Sequence, residues 1–572
     1  MKNLFTQAQG LYPRRRAYNM SYRNDYTACL GQLVPVYWQN LLPNSSWHVG
    51  THALIRLETL LAPIMDNIDY YVHYWAEPER CIKGDEFTRF ITGELSMEEY
   101  ENKYFIPKSI MTEPGSQALC QYLFGNGSLM DMLGYDSLLF DLENNGENAS
   151  ERKIQCNKLI MYVQLLVHWY INENVLPWDT FLEDSEWATD SRIQGDISEP
   201  IMLWFYRLQE NMDSNFFNHA WPADYFTKAL PTLQYGGPTY LPLGDSAPVV
   251  INQGTAIKVG SIELAVPGVQ TGSNYTTEIV GSEDGKGTVG AIVSNQRVPA
   301  TGAETQVAQD VTLQADLSEA TAITVNELRI TNALQVFKER EMRFGRRPPE
   351  YYKGFYGVKP DDLRLQLPKF LGGGRMPINI SDIEQTSQTD NQQTPLGTLA
   401  GKAVGIAGGF AAASFFASEE TLILGLAWAM PKVTYANMLS RHDTKINDRF
   451  EYFNPSFQHI GEQPVYNYEI FASGNDQEFG YQPRYTEYRF HANEMHGRFK
   501  DNLSFWTLGR MFDSQPALNA AFIYMQPRAL SRIFPVREDS NGFVKENMKV
   551  SLKFNVSLIQ PLSKYGTPSL IV

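Results

Sequence analysis

Hydrophobic positions along this chain follow two rhythms. From Trp47 to Leu57 every second residue is Trp47, Val49, Thr51, Ala53, Ile55 and Leu57, with His48, Gly50, His52, Leu54 and Arg56 between them. A period of two marks a strand with one dry face. The same rhythm closes the chain. MKVSLKFNVSL puts Met548, Val550, Leu552, Phe554, Val556 and Leu558 on one face, and Lys549, Ser551, Lys553, Asn555 and Ser557 on the other. Thr27 to Val36 is a mostly apolar run, and Leu422, Leu424, Leu426, Trp428 and Met430 alternate with smaller residues up to Pro431. Both read as strands.

The stretch LLAPIMDNIDYYVHYWAEPERC, Leu60 to Cys81, poses a choice. Tyr70, Tyr71, His73, Tyr74 and Trp75 crowd between Asp69 and Glu77. Aromatics beside carboxylates can line a sugar- or base-binding cleft, or they can be two faces of a buried strand. Ile68, Tyr70, Val72, Tyr74 and Ala76 alternate with Asp69, Tyr71, His73, Trp75 and Glu77. That alternation favours a strand with one side in a core and the other against neighbouring protein.

Helical spacing is sparser. Leu159, Val163, Leu166 and Tyr170 share one side of 157–172, PIMLWFYRLQENM (Pro200 to Met212) has Pro near its start, and Ile330, Leu334 and Phe337 recur within Thr324 to Arg343. LGGGRMPINI (Leu371 to Ile380) reads as turn-rich. Strands therefore cluster at both ends of the chain with long loops between, and early strands must pair with late ones. The expectation is a mainly β, antiparallel fold of the jelly-roll or Greek-key kind with a few helices.

Composition divides the chain further. Residues 1–26 form a polar, aperiodic N-terminal arm carrying Arg14, Arg15 and Arg16, and 27–572 form one domain. Within it, about 85–235 is a loop and helical insertion, and about 434–546 a long loop region. From Leu241 to Val336 the only aromatic is Tyr275, in a chain with 13% aromatic residues. A segment so poor in aromatics adds little to a core, so about 241–322 reads as an exposed β-rich insertion.

A formal net charge of −16 excludes a chain whose main task is neutralising nucleic-acid phosphates. Any such contact is local or shared with a basic partner. Cys29, Cys81, Cys120 and Cys156 are too few and too dispersed for a disulfide framework or a zinc cluster and read as reduced thiols, so sequons such as Asn44-Ser-Ser carry no meaning. The N-terminus has no apolar signal region, and no apolar run reaches the roughly 18–20 residues of a membrane span. No cofactor is expected. GSEDGKG (Gly281 to Gly287) and GTLAGK (Gly397 to Lys402) lack the Walker spacing, and neither GxSxG nor HExxH occurs. His48 and His52 are too far apart along a strand to chelate unaided. Asp361-Asp362 and Glu419-Glu420 read as solvated charge. The basic run Arg14-Arg15-Arg16, with Arg23 beyond it, is the candidate contact to phosphate.

Ordered motifs across the chain carry a resemblance. Asn24-Asp25-Tyr26 leads into LGQLVPVYWQNLLPNSSW and RLETLLAPIMDNIDYYVHYWAEPER; LRLQLPKFLGGGRMPINISDIEQTSQTD, HIGEQPVYNYEIFA, FGYQPRYTEYRF and SFW follow. This series resembles the major capsid proteins of microviruses, above all the gokushovirus-like branch, whose coat carries a long surface insertion. Residues 85–230 resemble that family poorly. The resemblance implies an eight-stranded jelly roll and a non-enzymatic structural protein. About sixty copies would close a T=1 icosahedral shell around circular single-stranded DNA. It also implies assembly in the host bacterial cytoplasm, and as partners a small basic DNA-packaging protein, a minor or pilot virion protein and a host-surface receptor. Arg14, Arg15, Arg16 and Arg23 would then touch the genome, with Tyr12 and Tyr18 near enough to stack on bases, and Tyr275 is the candidate on the attachment insertion. The competing reading is a cellular jelly-roll protein that binds carbohydrate through aromatics.

Overall fold

The computed structural model describes residues 14–58, 60–62, 64–96, 126–135, 155, 157–175, 216–237, 239, 345, 347–380, 410–445, 448–534 and 544–564. It also describes short strands between 249 and 315, the helix Val325–Phe344 and the pair 406–407. Contacts divide the chain into two units, Gly236–Lys338 and the remainder, and the first contains all of the expected insertion. Within it, small antiparallel pairs join Ile257–Val259 to Ile262–Leu264 and Thr277–Val280 to Ala291–Ser294. The helix expected over PIMLWFYRLQENM, and Tyr12 and Tyr275, lie outside the described residues.

The larger unit is mostly β, with antiparallel sheets and few helices. Its strands are β1 (Arg16–Asn19), β2 (Tyr22–Ala28), β3 (Val34–Leu41), β4 (Ser45–Leu57), β5 (Ile68–Pro78), β6 (Lys369–Asn379), β7 (Ala411–Ala417), β8 (Thr421–Pro431), β9 (Glu462–Tyr466), β10 (Glu478–Pro483) and β11 (Met548–Gln560). One sheet runs β1–β11–β4–β7, with β2 also on β11; the other runs β6–β5–β8–β3, with 406–407 outside β6. β9 and β10 form a separate hairpin.

Alternation decides which residues face inward. Val550, Leu552, Phe554 and Val556 are all nearly fully buried, and Phe554 lies 5.0 Å from the Tyr37 ring and 5.1 Å from Tyr22. The apolar cores of the two sheets are tied by hydroxyls. Tyr26 pairs with Tyr70 at 2.6 Å, the Trp47 indole donates to Tyr37 at 2.8 Å, and Thr51 pairs with Tyr74. Each link joins a strand of one sheet to a strand of the other. A buried hydroxyl left unpaired would cost about 1–3 kcal/mol, so these links position the sheets as well as filling space.

Three expectations need correction. Thr27 to Val36 is not one strand: Gly31, at φ +88°, turns the chain, so β2 joins the first sheet and β3 the second. β11 accordingly pairs with β2, not with the whole of 27–36. Regular structure also begins before residue 27, because Arg16–Asn19 and Tyr22–Ala28 are hydrogen-bonded to β11. Finally, LGGGRMPINI is strand, not turn. Gly372, Gly373 and Gly374 continue β6 beside β5, with a bulge between Phe370 and Gly372. A Cβ on Gly374 would sit 2.6 Å from the Ala411 Cα, and one on Gly373 2.2 Å from the Val72 carbonyl oxygen. Gly372 and Gly374 let the edge of this sheet lie backbone-close to β7 of the other, while Gly373 sits tight against its own neighbour β5. The sequon residue Asn44 has a structural role as well, holding φ +63° in the turn between β3 and β4.

Candidate nucleic-acid interface

The outer faces of the two sheets differ. On β5 the outward Tyr71, His73 and Trp75 do not line an open cleft. Tyr71 stacks on Trp428 at 5.2 Å, His73 meets Trp428 at 4.6 Å and Phe370 at 5.0 Å, and Trp75 packs on Trp169 at 5.0 Å. The cover comes from the same chain. Helix α1 (Asn157–Leu165) runs into a π-turn, Leu166–Tyr170, bringing Trp169 and Tyr170 onto the sheet. His219 stacks on Trp428 at 4.3 Å. Arg347 holds this cover down, donating to Glu173 at 2.8 Å, to the His168 carbonyl at 2.7 Å and to the Ile171 carbonyl. Burial pushes His73, His168 and His219 down to about 4, which keeps them neutral at pH 7. The aromatic stretch is thus a strand covered on both sides, and the carbohydrate-cleft reading loses its site.

The outer face of the β2–β11–β4 sheet carries cations in cross-strand rows. Lys553 on β11 stands between Arg23 on β2 and His52 on β4; four residues away on the same face, beyond the row of Ser551, Lys549 stands beside Arg56. All five are exposed. The acids among them are Asp25, bound to Arg23 at 2.7 Å, and Glu58, bound to Lys549 at 2.7 Å. Antiparallel neighbours directly opposite lie about 5 Å apart, so like charges in one row repel unless an anion answers them. A cleft of about 830 Å³ opens at the β2 edge, lined by Tyr22, Arg23, Trp38, Arg56 and Lys549 among others. Trp38 is 45% exposed there.

The expected arginines are not one cluster. Arg14 is exposed. Arg15 lies over Phe416 at 5.6 Å and donates to Ser46, and Arg16 is opposite Gln560 in β1. Arg23 alone joins the cationic rows. Tyr18 is tied to the Leu562 carbonyl at 2.7 Å. His52 packs on Phe410 at 5.4 Å, and no group of metal-ligating side chains occurs among the described residues. Lys549, Lys553 and Arg56 carry no local motif that marks them as a site in the sequence. Alternation marks them as outward, but only the pairing of residues about five hundred positions apart sums their charge.

Two antiparallel sheets share one core, and the chain's own loops wrap one of them, an architecture of the kind that builds viral coats. The family model described as "Capsid protein (F protein)" matches residues 6–570, and the chain belongs to that family. It is a capsid protein, a structural component of the virion and not an enzyme. Curated relatives agree in length. The chain is 28% identical to "Capsid protein VP1" of Bdellovibrio phage phiMH2K over 99% of this chain and 97% of the relative. It is 27% identical to "Capsid protein VP1" of Chlamydia phage 1 over 100% and 98%. The protein of the same name from Spiroplasma virus 4 is 24% identical over 99% and 97%.

Proposed function

We propose that about sixty copies of this chain close a T=1 icosahedral shell around circular single-stranded DNA, with the basic β2–β11–β4 face turned toward the genome. The observation that carries this reading is the asymmetry of the two outer faces: one is wrapped by the chain's own loops, the other is open and cationic. The strand orders β2–β11–β4–β7 and β3–β8–β5–β6 support an eight-stranded jelly roll, closed where the β6 glycines meet β7. Because the chain as a whole is acidic, a small basic packaging protein shares the neutralisation of the DNA, and a minor or pilot protein completes the particle. Phosphate contacts through Arg23, Lys553 and Arg56 are sequence-tolerant, with Tyr22 and Trp38 available for stacking on unpaired bases. Arg14, Arg15 and Arg16 extend the contact at the sheet margin.

The test replaces Arg23, Arg56 and Lys553 together by Gln. Shells should form with normal yield, retain less DNA and show a shallower salt dependence, since each lost phosphate contact removes one counterion-release term. Normal DNA retention refutes the assignment. A second reading concerns the insertion of about 241–322, which lies wholly in its own contact unit and suits host attachment, Tyr275 included. Deleting residues 262–300 should leave assembly intact and reduce adsorption. Unchanged adsorption refutes the role.

A further inference from the structure

A second cleft lies away from the basic sheet face, between the segments 504–513 and 519–532. It encloses about 610 Å³ and is lined by Trp221, Arg510, Phe522, Gln526, Arg528 and Arg532, among others. Arg510 is the unusual member. Its side chain is only 8% exposed and makes no ion pair among the described residues. Its Nη2 donates to the Phe522 carbonyl at 2.6 Å, while its Nη1 has no hydrogen-bond partner. Aromatic rings surround the guanidinium: Phe522 at 4.0 Å, Trp221 at 5.0 Å, Phe512 at 5.3 Å and Tyr435 at 5.8 Å. The route to a carboxylate is indirect, through the Tyr435 hydroxyl, which donates to Asp224 at 2.7 Å. Gln526 repeats the pattern: its Nε2 is buried without a partner and belongs to the same cleft.

The rest of the lining reinforces the sign. Arg532 directs its guanidinium to the backbone carbonyls of Ser504, Ala529, Thr507 and Gly509, so it fixes the loop and brings a positive charge with it. Asp513 is the one acid in the lining. A cation withdrawn from water without an ion-pair partner is costly, and an incoming anion removes that cost. The orphaned donors come from separate positions in the chain, which suits a tetrahedral oxyanion that can offer an oxygen to each.

We infer that this cleft binds a phosphate group, as the free ion or as a monoester, through Arg510 and Gln526. The site is independent of the DNA-facing rows and shares no residue with them. The experiment measures thermal unfolding of the full-length protein in inorganic phosphate, glycerol phosphate or oligothymidylate, each against chloride at matched ionic strength. Phosphate should raise the midpoint in wild type and raise it less than half as much in Gln526→Leu, which leaves Arg510 in place. Arg510→Lys, if it folds, should lose the response as well. Glycerol phosphate matching inorganic phosphate would assign the site to monoesters, and a response to inorganic phosphate alone would assign it to the free ion. A midpoint shift that survives Gln526→Leu, a chloride effect of equal size, or a stronger response to oligothymidylate carried by the same residues overturns the inference. Failure here leaves the DNA reading intact, because the Arg23, Arg56 and Lys553 replacements test that reading separately.

Discussion

β5 and β4 lie on opposite sides of one core, yet their outward residues meet different surroundings. From β5, Tyr71, His73 and Trp75 run into Trp428, Phe370, Trp169 and the Arg347-clamped turn. From β4, His52 and Arg56 stand beside Lys553 and Lys549, all exposed among the described residues. The alternation is equally regular in both strands. What differs is the chemistry of the outward face: aromatic where the chain itself supplies a cover, basic where the described residues leave it exposed. The same period of two therefore encodes an internal interface in one sheet and an exposed polar face in the other.

The largest expected effect would break the core common to both sheets. Phe554→Ala removes a fully buried ring held against Tyr37 and Tyr22 and should destabilise by roughly 3–5 kcal/mol in denaturant unfolding. Lys553→Ala, its sequence neighbour on the open face, should change stability by less than about 0.5 kcal/mol. Equal losses would mean that the facing assignment is wrong. Next is the covered sheet's response to acid. His73 and His219 titrate at about 4 in the folded protein, below their ordinary value of 6.5. The unfolded chain therefore binds their protons first. Their neutral packing is fully favourable above pH 6.5 and loses on the order of 3 kcal/mol per residue as pH falls to 4. Buried Glu77 and Glu469, whose carboxyls burial raises, act in the opposite direction. The informative quantity is thus a difference between proteins. His73→Phe with His219→Phe should flatten the fall in stability between pH 6.5 and 4.5, and an unchanged slope would show that the two rings do not carry it.

Smaller effects sharpen the contrast. Gly374→Ala forces a methyl against Ala411 where the sheets approach, and about 1–3 kcal/mol of destabilisation is expected from the overpacking. Tyr74→Phe leaves the Thr51 hydroxyl alone in the core and should cost about 1–3 kcal/mol. If both variants unfold like wild type, the two sheets are joined less tightly than the contacts at Gly374 and Tyr74 imply.

The strands most legible in the sequence are those with one wet face. β4 and β11 have the expected inward sets, and β5 resolves the choice between strand and cleft. Legibility fails where both faces are dry or where glycine is used for approach. Thr27 to Val36 is mostly apolar because each half feeds the core from a different sheet, so periodicity cannot reveal the turn at Gly31. LGGGR looks like a turn because glycine signals one, whereas here it removes side chains from a sheet-to-sheet contact. The candidate interface was half visible. Arg23 could be named from its neighbourhood, but Lys553 beside it, and Lys549 and Arg56 further along, are single charges in unrelated stretches until strand pairing brings them together. The buried Arg510, with its Nη1 unpaired, gave no sequence signal, since burial and hydrogen-bond satisfaction are properties of packing.

β11 lies inside its sheet, with Leu552 opposite both Asn24 and Ala53. A central position is thus filled by a segment made about five hundred residues after its sheet partners. Until then β2 and β4 have no partner between them, and the loop to be closed spans about five hundred residues. Such high contact order predicts slow folding and a nascent chain with open strand edges, exposed to aggregation or to chaperones. It also acts as a completeness check: a chain cut short by early termination lacks the strand that joins β2 to β4 and cannot present a finished sheet to its neighbours.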